Sequence, residues 1–329
     1  MTPQSALFAA AVDGSASIYA LFRGQGTNEV YLDELQSLYD IYKPFVASFI
    51  STISEEILIP LAEEKQITSF YTHGLDVSSW LADPTSRPSV PYLASVPVSL
   101  PLIELTQLVQ YLIVCKVTGH SQGIVSAVAA SASTSFESFT ENAKKALRWL
   151  FFCGFRGQEA FPVVSLEPSL IQDSIDGGEG TPSPLLSSTG LTLKELQPHL
   201  SQTNKHLAEN SQIHVTLHNG PRALVVTGPS RALHGLVVNL RKVRAPNGAD
   251  QTKIAFSQRK PVFSVRFLMV SVPFHSVYLS KATDKLLAED LKGEELWKPE
   301  ELRIPVFNTE DGTFYVFILL CSLILFFRR

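Results

Sequence analysis

The pentapeptide Gly119-His120-Ser121-Gln122-Gly123 restricts the possible folds of this chain more than any other feature. It fits G-x-S-x-G, the pattern of a sharp turn from a strand into a helix. The turn brings backbone segments so close together that a Cβ at either glycine would collide with them. It also pushes the central side chain outward. A serine hydroxyl is a weak nucleophile unless it is exposed and faces a base, and this geometry supplies the exposure. The helix that follows directs its N-terminal amides at any oxyanion formed nearby. The small apolar segment Ile124–Ser133 suits such a helix packed closely on a sheet. Ser121 is therefore the candidate nucleophile, and a simple glycine-rich turn is the alternative.

The rest of the chain supplies a setting for the turn. Ser17–Phe22 reads as a short buried strand running into a loop at Arg23-Gly24-Gln25-Gly26. In Glu29–Ser54, apolar residues recur at three- and four-residue steps, which predicts a helix. Pro84–Pro101 reads as a long loop, Leu102–Val117 as a buried helix and Phe136–Phe155 as a further helix with Lys144, Lys145 and Arg148 on its wetter side. Composition shifts at Asp173–Pro184, a Gly-, Ser- and Pro-containing break that marks a subdomain boundary. Beyond it come a strand at Leu185–Ser188, a helix at Leu191–Leu207, a hairpin of Ile213–Leu217 and Leu224–Thr227 turning at Asn219-Gly220-Pro221, a helix at Ser230–Val243 capped by Ser230, and a strand at Val265–Val272. That order is ferredoxin-like.

A serine nucleophile needs a base, and the chain has eight histidines. His73 falls in a loop. His199, His206, His214, His218 and His234 fall on the helices and hairpin of the small subdomain and read as surface or satisfied histidines. His120 lies inside the turn and supports it. His275 closes an apolar strand in Pro273-Phe274-His275-Ser276, and strand ends opening into loops are where sheet folds place reacting groups. It is the candidate base.

Bulk properties exclude other classes. Net charge is −4, so nucleic-acid binding has no overall electrostatic support, and 45% hydrophobic with 18% charged residues is a globular balance. The three cysteines, Cys115, Cys153 and Cys321, form no C-x-x-C pair, which argues against a disulfide framework or a metal site and fits a reducing, cytoplasmic compartment. The N-terminus lacks the basic region of a signal peptide. Phe314–Phe327 is an apolar run followed by Arg328 and Arg329, shorter than a membrane span needs. A short anchor, a buried element and sequence foreign to the domain compete here. The third is favoured because the segment has no polar face, so membrane association is not expected.

Several segments together resemble one family. Gly119–Gly123 continuing as Ile124-Val125-Ser126-Ala127, Gly180-Thr181-Pro182-Ser183-Pro184-Leu185-Leu186-Ser187, Leu217-His218-Asn219-Gly220, Val225-Val226-Thr227-Gly228-Pro229, Ser257-Gln258-Arg259-Lys260, Arg266-Phe267-Leu268 and Pro273–Ser276 resemble, in order, the acetyltransferase region of the fungal fatty acid synthase beta subunit. The resemblance runs from about Ser17 to Gly312. It implies an α/β acyltransferase fold, with a hydrolase-like parallel-sheet core and an inserted ferredoxin-like subdomain. The corresponding divisions are 1–180 for the core with the elbow, 181–270 for the subdomain, 271–312 for the return to the core with His275, and 313–329 for an aberrant apolar tail. The implied reaction moves acetyl from acetyl-CoA, a substrate, to an acyl carrier protein through an acyl-serine, with no resident cofactor or metal. The implied partners are that carrier protein and, in a full-length assembly, the synthase alpha subunit. Ser121 would be nucleophile and His275 base, with the Gln122 amide and Gln25 holding the oxyanion; the alternative for Gln25 is a plain loop residue.

Malonyl-specific relatives place an arginine in a helix beyond the elbow. The resemblance puts Cys153 at that place, which favours a neutral acyl group, while Arg156 lies one turn on and would reverse the argument under a shifted register. Basic residues Arg241, Lys242, Arg244, Lys253, Arg259 and Lys260 could face coenzyme A phosphates or an acidic carrier protein; a solvated helix face and loop is the alternative. A serine hydrolase is a competing function, and it would want a buried acid. Asp173, Asp176 and Asp250 lie in polar, loop-like segments. A third possibility is an inactive remnant. The chain departs from the family in three ways. It lacks a linker and strand before the elbow, so either Leu112–Val117 serves as that strand, which its β-branched content permits, or the elbow has lost its support. The match fades after Asn308–Gly312, so the C-terminal part of the core reads as truncated. The other synthase domains are absent.

Overall fold

The helical periodicity of the N-terminal part forms helix α1, Tyr31–Ile53, with Leu35, Val46, Phe49, Ile50 and Ile53 buried. Pro44 lies inside it, where its missing N–H and its ring break the backbone ladder, and the helix kinks at Tyr42. The computed structural model describes residues 20–22, 31–64, 68–113, 117–119, 122–246, 251–252, 254–294, 296–303 and 306. Gln25, His120, Ser121, Asp250, Lys253 and the run Phe314–Phe327 lie outside the described residues. The chain divides into two compact units. The first includes the described residues up to Leu93, those of Pro97–Phe155 and those from Leu287 on. The second includes Ala94–Val96 and the described residues of Arg156–Leu286.

In the first unit, strand β1, Ala20–Phe22, precedes α1, and helix α2, Val96–Ile113, follows it. The loop expected over Pro84–Pro101 is instead partly helical, since Val90–Ala94 and the start of α2 fall within it. Pro97 sits in the first turn of α2, where an absent N–H costs nothing, and Val96, Val98, Leu100 and Leu102 are fully buried there. Burial thus outweighs the prolines. Strand β2, Val117–Gly119, pairs in parallel with β1, with Ala20 opposite Val117 and Phe22 opposite Gly119. Of the candidate strand Leu112–Val117, only Val117 is in β2, because α2 retains Leu112 and Ile113. Helix α3, Gly123–Ser131, is buried along almost its whole length. Helix α4, Phe136–Ala160, runs five residues past the expected end at Phe155. Lys144 pairs with Glu56 and Glu141, and Arg148 with Glu294, so its wetter side is engaged by ion pairs. The Tyr71 ring stacks on Phe151 with centroids 4.8 Å apart. Tyr31–Ala62 is long and apolar enough to cross a membrane by length and composition, and the α1 residues named above are core residues of this unit.

The second unit contains helix α5, Pro168–Asp176, and then a four-stranded sheet. Its strands are β3 (Leu185–Thr189), β4 (His214–Gly220), β5 (Ala223–Thr227) and β6 (Ser264–Phe267), in the spatial order β4-β5-β3-β6 with antiparallel neighbours throughout. With helix α6, Leu193–Asn204, after β3 and helix α7, Ser230–Val243, after β5, this is the ferredoxin-like arrangement expected from the element order. Leu186, Leu196, Leu200, Leu224, Val226, Leu233, Leu236, Leu240, Val265 and Phe267 form its core. The Thr192 side chain accepts from the Glu195 backbone while the Glu195 side chain accepts from the Thr192 backbone, a reciprocal cap on α6. Three local expectations are corrected. Ser230 is the first helical residue of α7 and makes no cap; Pro229 precedes it. Strand β4 runs through Asn219 and Gly220, so the hairpin turns at Pro221-Arg222. Strand β6 ends at Phe267 rather than Val272, because the amides of Val270 and Phe274 bond locally to the carbonyls of Leu268 and Val272, and Pro273 has no N–H to donate.

Candidate active site

The described parts of the elbow show why its sequence takes this form. β2 ends at Gly119 and α3 starts at Gly123, leaving three residues for the reversal. A Cβ on Gly123 would lie 2.3 Å from the Phe22 backbone oxygen and 2.6 Å from its carbonyl carbon. The helix start is pressed against the end of β1, and only glycine fits. This is the close approach that the pentapeptide predicts.

Gln122 is the N-cap residue of α3 and is fully buried. Its side chain points into the protein, where Nε2 donates to the Leu100 oxygen at 2.8 Å. Its Oε1 is buried without a hydrogen-bond partner among the described residues. The side chain therefore anchors the helix start to α2, and any part in holding an oxyanion falls to the backbone amide. One turn further along α3, Ser126 Oγ lies 2.6 Å from Glu104 Oε2 and 3.0 Å from Gln107 Oε1. Glu104 is completely buried, and the loss of hydration pushes its carboxyl up to about 8 against a smaller lowering by the Ser126 hydrogen bond. Sequence reading missed Glu104. The one signal available was a lone acid in the nearly all-apolar run Leu102–Val117.

In the second unit, His275 is partly exposed and sits in a turn eight residues beyond the end of β6, not at a strand end. Its φ is +59°, one of two non-glycine residues in the left-handed region among those described. Histidine enters that region more readily than most residues, and the conformation costs roughly 1–2 kcal/mol. Buried neighbours hold the turn: Val272, Phe274 and Ser276 are each 4% exposed or less, and Ser276 Oγ donates to the Pro273 oxygen. A strained histidine fixed by buried flanks is typical of a residue kept for function.

Cys153, in the first unit, is fully buried, and its thiol is pushed well up by burial and by the nearby negative charge of Asp290. It is neutral and unreactive there. Arg156, in the second unit, is nearly buried and pairs with Glu159 at 2.9 Å. Burial pushes the Glu159 carboxyl up, but hydrogen bonds from Arg156 and Lys285 outweigh it and hold the carboxyl low. Of the basic residues proposed for phosphates, Arg241 bonds both oxygens of the fully buried Glu179 and also Asp173, and Arg244 bonds Glu179. These two arginines lock the α7 end to the loop after α5. The Arg259 guanidinium donates to the Ile254 and Thr252 oxygens, and Lys260 to the Lys242 oxygen. Asp173 pairs with His234 at 2.8 Å, and Asp176 accepts from Gln172. Among the described residues, no group of three or more His, Cys, Asp or Glu side chains is placed to hold a metal ion.

A family described as starter unit:ACP transacylase in aflatoxin biosynthesis matches residues 20–261, from β1 through the elbow and most of the sheet. The chain belongs to this family. Among curated relatives of this chain, the fatty acid synthase subunit beta of Saccharomyces cerevisiae is 41% identical over 328 residues, covering 94% of this chain and 16% of that protein. The corresponding subunit of Schizosaccharomyces pombe is 43% identical over 315 residues, covering 91% and 15%. The chain thus spans about a sixth of these relatives. Solved structures establish the acyltransferase fold. The malonyl CoA-acyl carrier protein transacylase of Coxiella burnetii superposes with a TM-score of 0.57 at 18% identity, covering 95% of this chain and 79% of that one. A loading acyltransferase from the avermectin modular polyketide synthase gives 0.57 at 18%, covering 95% and 80%.

Proposed function

We propose that this transacylase moves an acetyl group from coenzyme A to an acyl carrier protein through an ester on Ser121. In the first half-reaction, His275 takes the Ser121 proton as Oγ attacks the thioester carbonyl. The developing oxyanion is met by the Gln122 amide at the head of α3, with Gln25 as a second donor. Collapse breaks the C–S bond, and the leaving thiolate takes the proton from His275. In the second half, the carrier thiol gives its proton to His275, attacks the ester, and frees Ser121. No bound cofactor or metal takes part.

The observation that supports this reading is the fit of Gly123, the first residue of α3, against the Phe22 carbonyl. Charge supports acetyl over malonyl. Cys153 offers no cation, Asp290 adds negative potential beside it, and Arg156 is paired with Glu159. A free malonyl carboxylate buried there would lack a partner. The family's description as a starter unit:ACP transacylase supports a carrier protein as acceptor, and relatives named as beta subunits support an alpha-type partner in a cytoplasmic assembly. A hydrolase remains the second reading, but Asp173 is engaged by His234 and Arg241, and Asp176 by Gln172.

Radiolabelled acetyl-CoA is the test. The wild type should take up label that a pantetheine thiol then removes. Ser121→Ala should take up none, and His275→Ala should acylate about 10²–10⁴-fold more slowly. Release of label to water ahead of transfer would establish the hydrolase instead. Absence of label on the wild type would identify an inactive copy.

A further inference from the structure

Two rungs join α2 to α3. Gln122 Nε2 donates to the Leu100 oxygen, and Ser126 Oγ contacts Glu104 Oε2. Each rung is four residues from the other on both helices, so they are successive turns of one seam, and the seam begins at the residue after the proposed nucleophile. The second rung has an unusual constraint. Ser126 has one hydroxyl proton and lies within hydrogen-bond distance of two oxygens, Glu104 Oε2 and Gln107 Oε1. An amide oxygen only accepts, so with Gln107 in this orientation Ser126 must donate to it. The 2.6 Å contact is then a hydrogen bond only if the carboxyl is the donor. Glu104 Oε1 is buried with no partner among the described residues, which a neutral acid tolerates far better than a carboxylate.

We infer that Glu104 is held as a neutral acid whose proton latches α3 to α2, running from Glu104 to Ser126 to Gln107, and that this makes it a positioning residue for the elbow. Among the described residues no charged side chain sets this proton: α3 has no titratable residue, the only other titratable residue on α2 is Tyr111, and burial is the cause that favours the neutral form. Loss of the proton leaves a carboxylate in an apolar seam and forces Gln107 to turn its amide. The first turn of α3 then loosens and the Gln122 amide moves. The effect on chemistry rests on the acyl-serine reading above; the latch itself does not.

The experiment therefore has two readouts on the intact chain at pH 7 and pH 9. Hydrogen exchange of the peptide spanning Gly123–Ser131, corrected for intrinsic pH dependence, should show about tenfold lost protection in the wild type and none in Glu104→Gln, which keeps the shape without an ionisable proton. The rate of Ser121 acetylation should fall about tenfold over the same range in the wild type beyond its fall in Glu104→Gln, with the acetyl-CoA KM unchanged. Equal exchange behaviour in the two proteins overturns the latch. An exchange difference without any acetylation supports the latch and sinks the transfer reading. Acetylation that loses the same factor in both proteins, despite the exchange difference, overturns the positioning role. If Glu104→Gln does not fold, the same comparison is made with Ser126→Ala, which should lose protection already at pH 7.

Discussion

The elbow seam and the four-stranded sheet are built on opposite rules. The sheet follows local preferences in its pairing, its helix cap and its core, although the hydroxyls of Ser188, Thr216 and Thr227 are buried with no partner among the described residues. Its strands pair in a ferredoxin-like order, α6 begins with a reciprocal Thr192–Glu195 cap, and its core cluster consists of aliphatic residues and phenylalanines. The elbow seam breaks such rules. It has a glycine with no room for a methyl group and a fully buried acid with no cationic partner among the described residues. Agreement across levels gives stability, whereas local conflict is retained where a geometry is needed for something else. The two regions should therefore respond differently to mutation. Changes in the seam should lower acylation more than stability, and changes in the sheet should do the reverse.

The largest effect is expected from Gly123→Val. Its Cβ would meet the Phe22 backbone oxygen at 2.3 Å, and backbone cannot yield as a side-chain tip can. A displacement of about 1 Å at the elbow lowers acetylation by roughly 100-fold or more. A labelling assay beside a thermal melt checks it, and near-wild-type labelling would mean that the elbow tolerates a side chain. Leu233→Ala in the sheet unit is the counterpart. Leu233 is fully buried on α7, so the cavity should cost about 2–5 kcal/mol by urea unfolding, while the residual folded fraction labels at the normal rate. Comparable damage to both readouts would erase the contrast between the regions. Next comes the pH dependence of stability. The Glu104 carboxyl is raised on folding, so between its ordinary value near 4.5 and about 8 the unfolded chain has lost a proton that the folded chain keeps. Unfolding thus becomes easier as pH rises, by about tenfold in the equilibrium constant per pH unit, and flattens above about 8. Glu104→Gln should remove that slope, whereas a slope shared by both proteins would assign it to other groups.

How much of this was legible in the sequence differs between the regions for the same reason. The sheet unit follows from periodicity and turn residues, which act locally, so its elements and order were readable to within a few residues. Where the reading erred, at Ser230, at the hairpin turn and at the end of β6, the outcome depended on which backbone groups happened to find partners. The pentapeptide announced the elbow, because a tight turn needs glycine whatever surrounds it. The α2 start was hidden by Pro97 and Pro101, whose local signal is opposed by burial of Val96, Val98 and Leu100. The role of Glu104 was unreadable, since nothing along the chain shows that position 104 meets Ser126.

The smallest expected effect is also the cleanest check of the sheet's local character. In Thr192→Ala, the Glu195 backbone N–H loses its side-chain acceptor and the Glu195 carboxylate loses a hydroxyl donor, since Oε2 now receives from both the Thr192 backbone and Oγ1. An N-cap replacement of this kind costs about 1 kcal/mol. The loss should be confined to stability, because the cap supports only the first turn of α6 and the core behind it, Leu196 and Leu200, is unchanged. Urea unfolding should show a lower midpoint with the same slope, and the acetylation rate should match the wild type. A changed slope or a slower acylation would mean that the cap reaches beyond its own helix, and the sharp division drawn between seam and sheet would have to be given up.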